Sequence, residues 1–199
     1  MADVRASRIQ RIPRRDAARN RQTLVRAATA AVHREGTRVP MATIAADAGV
    51  GIGTLYRHFA TREELLGYLT HASFEQVLAN AQAAEAGGAT AAQALQRFIE
   101  AAIAQRNDLV LPLHGGPPPA WPATRQIRAQ IHQILARIID RGRADGTIVR
   151  EVSAHDIIAF GSMLAQPRPA DPGWDATCRR LLATYLAGLA TAGGGPSPR

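Results

Sequence analysis

Between Gly51 and Arg62 the chain spaces phosphate-bonding side chains at helical intervals around two glycines: "GIGTLYRHFATR". If Leu55 and Phe59 turn inward as an i, i+4 pair, the 100° step of a helix turns Gly53, Thr54, Arg57 and His58 outward. Tyr56 then lies on the flank. Hydroxyl, imidazole and guanidinium groups on such a face can donate hydrogen bonds to phosphate oxygens. Small residues at the entry, Gly51 and Gly53 beside Ile52, let the backbone come close to base edges in a major groove. Arg62, one turn further on, adds a cation near a helix start, and Arg19 and Arg21 add two more from the preceding helix. The chemistry this predicts is contact with a polyanion, not bond making. Neither a G-x-S-x-G elbow nor a P-loop occurs anywhere in the chain.

The elements that must hold this face follow from periodicity and punctuation. A first helix is expected over about 16–35, with Leu24, Ala28, Ala31 and Val32 on related turns and Gly36 as its terminator. Pro40 suits the first turn of a short helix, Met41 to Ala48, which Gly49 ends. A second short helix spans about Ile52 to Phe59. Apolar Ile44, Ala45 and Ala48 face Leu55 and Phe59 across a glycine turn, which is helix-turn-helix spacing. Thr61 with Glu64 three residues on has capping-box spacing for a long helix to about Ala84. Further helices are expected over about 91–106, 123–145, 154–165 (capped by Ser153) and 174–191. A short apolar piece and a proline-rich loop fill 108–122. The fold class is thus all-α with about nine helices. The expected domains are a basic arm (1–15), a helix-turn-helix unit (16–60), a helical body (61–191) and a tail (192–199).

Charge agrees with the face. Residues 1–62 hold 12 Arg against four acids, a net of +8, while residues 63–199 balance 12 Arg with 12 acids. The chain's whole formal excess of +8 therefore sits in its first third. That confinement points to a polyanionic partner, with nucleic acid favoured over a membrane surface because the basic segment lacks a broad apolar helix face. No apolar run reaches the roughly 20 residues of a membrane helix, and the N-terminus has no secretory apolar region. One cysteine, Cys178, excludes an internal disulfide. The six histidines form no cluster with metal-ligand spacing, so no metal and no cofactor is expected. The cytoplasm is the default compartment.

The stretch "TIAADAGVGIGTLYRHFATREELL" (43–66) resembles the DNA-binding signature of TetR-type one-component regulators. The match runs through Ile44, Ala45, Ala48, Gly49, Val50, Gly53, Thr54, Leu55, Tyr56, His58, Phe59, Thr61, Arg62, Glu63 and Leu65. Gly51 departs from it, standing where a serine often caps the third helix. The resemblance implies an N-terminal three-helix DNA-binding domain and a C-terminal helical domain for ligand binding and dimerisation. It also implies a mode of action: a homodimeric repressor on double-stranded DNA with a palindromic operator. A small-molecule effector releases it by shifting the fourth helix and re-spacing the two reading heads.

Two residue sets in the body are expected to serve that action. Phe74, Leu78, Phe98, Ile103, Leu113, His114, Trp121, Ile127, Ile131 and Met163 are candidates to line a cavity. His114 ends an apolar piece beside a Pro/Gly loop, and the scarcity of charge in the set suggests an apolar or aromatic ligand. The last two helices carry apolar residues on more than one face, more than a monomer would bury. Ile157, Phe160, Leu164, Leu182, Tyr185, Leu186 and Leu189 are therefore the expected contacts with a second copy. A DNA-binding protein without ligand control remains the alternative, and an enzyme is not expected.

Overall fold

The computed structural model describes residues 12–87, 90–168 and 170–190, with side chains from Asn20 onward. Residues 1–11 of the expected arm, the tail 192–199 and the side chain of Arg19 lie outside the described residues. Among the described residues there are eight α-helices and no strand. They are α1 (Ile12–Glu35), α2 (Met41–Asp47), α3 (Ile52–His58), α4 (Arg62–Ala86), α5 (Ala91–Ala104), α6 (Pro122–Ala144), α7 (Ala154–Leu164) and α8 (Trp174–Ala190). The sequence suggests about nine helices; the short apolar piece after α5 closes only a 3₁₀ turn, Pro112–His114, because prolines crowd that segment. The first helix also begins at Ile12 rather than Asp16, so residues 12–15 are helical.

Local chemistry explains the boundaries. Thr61 caps α4 by accepting from the Glu64 amide at 3.1 Å. The return bond, expected at the cap itself, goes one residue back: the Ala60 amide donates to the Glu64 carboxylate at 2.8 Å. Ser153 and Asp156 form a full capping box on α7, and Thr90 and Gln93 form another on α5. Gly49 takes φ +66°, a left-handed turn that other residues rarely adopt. It lets Ala48, Gly49 and Val50 donate back to the last carbonyls of α2 before α3 begins.

Two apolar clusters build the molecule. The head cluster gathers Leu24, Ala28, Ile44, Leu55, Phe59, Leu65 and Leu69 from α1 to the start of α4. The body cluster gathers Phe74, Leu95, Phe98, Ile131, Leu135, Ile138, Ile157 and Leu182 from the rest of α4 to α8. One helix, α4, belongs to both, changing allegiance between Leu69 and Phe74. The extended segment after α5 does the same within two residues. Val110 packs into the head cluster, while Leu111 packs against the body. Ser73 fixes that crossing: its hydroxyl donates to the Leu69 carbonyl at 2.8 Å and accepts from the Val110 amide at 2.8 Å. No helix among the described residues is long and apolar enough to cross a membrane.

Candidate nucleic-acid interface and body cavity

On the head, α3 is held from behind and bare in front. Leu55 is 0% and Phe59 1% exposed, packed with Ile44 and Ala45 of α2. Ile52 and Tyr56, one turn apart, are 42% and 49% exposed, and Arg57 is exposed beside them. A methyl group added at Gly51 or Gly53 would meet nothing within 4 Å. The entry to this face is thus open space. Gly51 caps α3 without a side-chain hydrogen bond, as a missing serine dictates.

The face is rotated relative to the sequence expectation. Thr54 and His58, expected outward, are half-buried on the flank, and Tyr56, expected on the flank, is outward. The reason is Phe59. It already has extended backbone (φ −142°, ψ 104°), so its ring reaches the core without following the helical 100° step. Leu55 alone then fixes the inward direction of α3.

The surrounding cations divide into engaged and unengaged groups. The Arg21 guanidinium lies over the Tyr68 ring at 4.5 Å and the Phe59 ring at 5.2 Å. It is exposed but oriented by those rings. Arg34 reaches Asp47 at 2.8 Å and Glu35 at 2.7 Å, which neutralises two of the head's acids and ties α1 to α2. Arg26, Arg38 and Arg57 form no ion pair among the described residues. Arg62, half-buried at the first turn of α4, has a buried Nε with no hydrogen-bond partner. Such an arrangement presents positive charge and donors around a helix whose N-terminal end is free of bulk, the geometry for phosphate contact flanking a groove.

The body encloses a cavity of about 320 Å³ between α4, α5, α6, α7 and the loop before α6. Of the candidate cavity positions, Phe74, Phe98, Leu113, His114 and Ile131 line it. Leu78, Ile103 and Ile127 pack against the body cluster instead, and Ile103 borders a separate groove with Arg106 and Asp175. Met163 is 60% exposed on the outer side of α7. Trp121, the cap residue of α6, lies off the cavity because its ring is laid against α4, 5.6 Å from the His71 ring and against Gly67. Sequence reasoning missed the basic lining residues Arg128, His132 and His155. A signal existed: Arg128 and His132 fall four residues apart on α6, each the next residue after Ile127 and Ile131 of its apolar stripe.

Three histidines here hold their protons less readily than a free imidazole. Burial lowers His132, and the nearby charges of Arg128 and His155 lower it further. Burial also lowers His114, although the Ser162 carbonyl, 3.1 Å from its Nε2, works the other way. That carbonyl assigns the Nε2 proton, so Nδ1 is an acceptor, and it is buried without a partner. His33, on α1, is lowered by burial against the opposing pull of the Leu109 backbone and Asp108. It stands close enough to His114 for their charges to interact. The loop that lines the cavity is therefore also the neighbour of the head's first helix.

The expected dimer contacts need correction. Ile157, Leu164, Leu182, Leu186 and Leu189 are buried within the single chain. Phe160 and Tyr185 are half-buried and stacked on each other at 3.9 Å. The second apolar stripe exists, but it is the neighbouring one: Leu181 is 44% and Met163 60% exposed on the side of α7 and α8 that carries Phe160 and Tyr185. Periodicity gave two stripes on α8 without saying which the body would take.

Residues 24–69 match the family model of the bacterial regulatory proteins of the tetR family. A TetR transcriptional regulator from Streptomyces coelicolor is 29% identical, with a TM-score of 0.55 over 87% of this chain and 99% of that one. The ketosteroid transcriptional regulator KstR2 of Mycobacterium tuberculosis is 20% identical, with a TM-score of 0.69 over 87% and 96%. The regulator AibR, solved in complex with isovaleryl coenzyme A and operator DNA, is 17% identical, with a TM-score of 0.66 over 85% and 97%. Residues 24–69, which hold the helix-turn-helix of α2 and α3, thus match the DNA-binding domain of the tetR-family regulators, and the chain as a whole shares the helical fold of the solved regulators it resembles.

Proposed function

We propose that this chain is a homodimeric repressor, released from a palindromic operator when a small molecule enters the body cavity. The observation that carries the reading is the double membership of α4. Its first turns are built into the head cluster through Leu65 and Leu69, and its middle lines the cavity through Phe74 and Val77. A molecule that spreads the cavity must move α4 against the body or the body against α4, and the head is fixed to α4. The ligand acts by binding the state with the wrong head spacing more tightly than the operator-bound state.

In this reading residues up to about 60 read DNA and the remainder senses and dimerises, in the cytoplasm. Tyr56, Arg57, Thr54 and His58 with Arg62 and Arg21 contact the backbone, and Gly51, Ile52 and Gly53 approach base edges. Arg19 adds a contact from α1. The dimer face is the exposed stripe of Phe160, Met163, Leu181 and Tyr185, where two copies bury what one leaves uncovered. The experiment is fluorescence anisotropy of the full chain on DNA selected from the source genome, repeated with a library of small molecules. Release by a compound that also raises the unfolding temperature supports the reading. A library in which every compound that stabilises the protein leaves DNA binding unchanged would contradict ligand control.

A further inference from the structure

The chemical class of the cavity's ligand follows from where its charges sit. The walls are apolar: Phe74, Phe98, Leu109, Leu111, Ile131 and Ile158 surround the interior. No Asp or Glu lines it. At one end stand Arg128 and His132, one turn apart on α6, and His155 in the first turn of α7. Arg128 and His155 are exposed and His132 is half-buried, so the three form the rim of the mouth, not its floor. None of them pairs with an acid among the described residues. The nearest acid in sequence, Asp156, is committed to the Ser153 hydroxyl at 2.7 Å and the Ser153 amide at 2.8 Å. A largely apolar chamber with an unpaired basic rim calls for a tail inside and an anion at the mouth, and the His114 Nδ1 on its wall is an unpartnered acceptor besides.

We infer that the cavity takes an apolar carboxylic acid, tail inward, with its carboxylate held at the mouth by Arg128, His132 and His155. An arginine fork accepts a carboxylate in a two-point geometry, and the histidines add donors beside it. A cation would meet only like charge, and a neutral apolar molecule would leave the rim unpaired. The volume lies near the lower end of the roughly 300–1,000 Å³ usual for small-molecule sites, which favours a medium-length chain or one ring with a short arm. The inference rests on the proposal that this cavity is the effector site, and it adds an anionic end to the apolar or aromatic ligand that the sequence suggests.

The test is isothermal titration of the full chain with decanoate, decanol, decylamine and decanoyl coenzyme A, repeated with 4-phenylbutyrate. Decanoate or phenylbutyrate should bind at least tenfold more tightly than decanol, and decylamine should not bind. Arg128→Leu, at an exposed position, should reduce the affinity for the acid to that for decanol, with the circular dichroism of the parent chain. Equal binding of acid and alcohol, binding of the amine, or no binding of any probe would overturn the inference. Binding of the coenzyme A thioester without the free acid would overturn the carboxylate as the recognised group and point to phosphate instead. If the acid binds but does not lower DNA affinity, the site stands and the release mechanism falls. The two readings therefore fail separately.

Discussion

The His71 imidazole Nδ1 lies 2.8 Å from the Thr124 hydroxyl, joining the middle of α4 to the first turn of α6. Thr124 is 1% exposed, and the Trp121 ring covers the same junction from beneath Gly67. The two cavity-lining helices are therefore tied together at the end nearest the head. Thr124→Val keeps the shape and deletes the hydroxyl, which leaves the imidazole nitrogen without its partner. We expect a loss of about 1–3 kcal/mol in urea unfolding. The effector's influence on DNA affinity should weaken as well, because α4 and α6 would then respond separately. Unchanged stability and response would remove this contact from the coupling route.

Tyr56→Ala should separate binding from folding. The side chain is half exposed and anchors no core, so stability should stay within about 0.5 kcal/mol. DNA affinity should fall about tenfold by anisotropy, the scale of one lost phosphate hydrogen bond. Leu55→Ala is the converse. It empties a fully buried site and should cost about 2–5 kcal/mol, measured by thermal unfolding of the head.

Met163→Arg and Leu181→Arg should give folded monomers that bind the operator poorly. Both side chains are exposed in the single chain, so circular dichroism should be unchanged while sedimentation reports half the mass. Leu186→Arg, attractive from periodicity alone, should instead unfold the body, because Leu186 is 8% exposed and packs in its core. An unaltered dimer in both exposed-site variants would place the interface elsewhere.

Acid should loosen the junction between head and body. His33, His114 and His132 all have pKa values below the unfolded value of 6.5, with burial the first cause in each. The unfolded chain thus binds more protons than the folded one once pH drops below 6.5. Stability should be full above that value and decline as pH falls toward the folded values. Urea midpoints measured between pH 8 and pH 5 should show this slope, and His33→Gln with His114→Gln should flatten it. A midpoint that rises on acidification would have the sign wrong.

Much of this was legible in the sequence, and the gaps have physical causes. Helix starts were readable because Thr61 and Ser153 announce themselves through the residue three places on. The head was readable because a glycine turn (Gly49) and an i, i+4 anchor (Leu55, Phe59) stand close together inside the segment, residues 1–62, that carries the chain's whole charge excess. The orientation of α3 was not, since Phe59 leaves the helix while still filling the core. Nor was the cavity's basic rim: Arg128 and His132 look like solvated helix residues until the proline-rich loop and the start of α7 are seen to close over the same space. Stripe assignment on α8 failed for a similar reason, because periodicity counts apolar faces but not which one a neighbour covers.

The most direct measurement is the affinity of the full chain, across salt concentrations, for DNA fragments it selects from the source genome. The fragments should share a palindrome, and the slope of log affinity against log salt should lie near −5 for each half-site, as expected for about six neutralised phosphates. Tyr56→Ala should weaken binding to that palindrome. Selection of fragments with no common sequence, or an affinity indifferent to both salt and Tyr56→Ala, would contradict the reading of α3 as the element that recognises DNA.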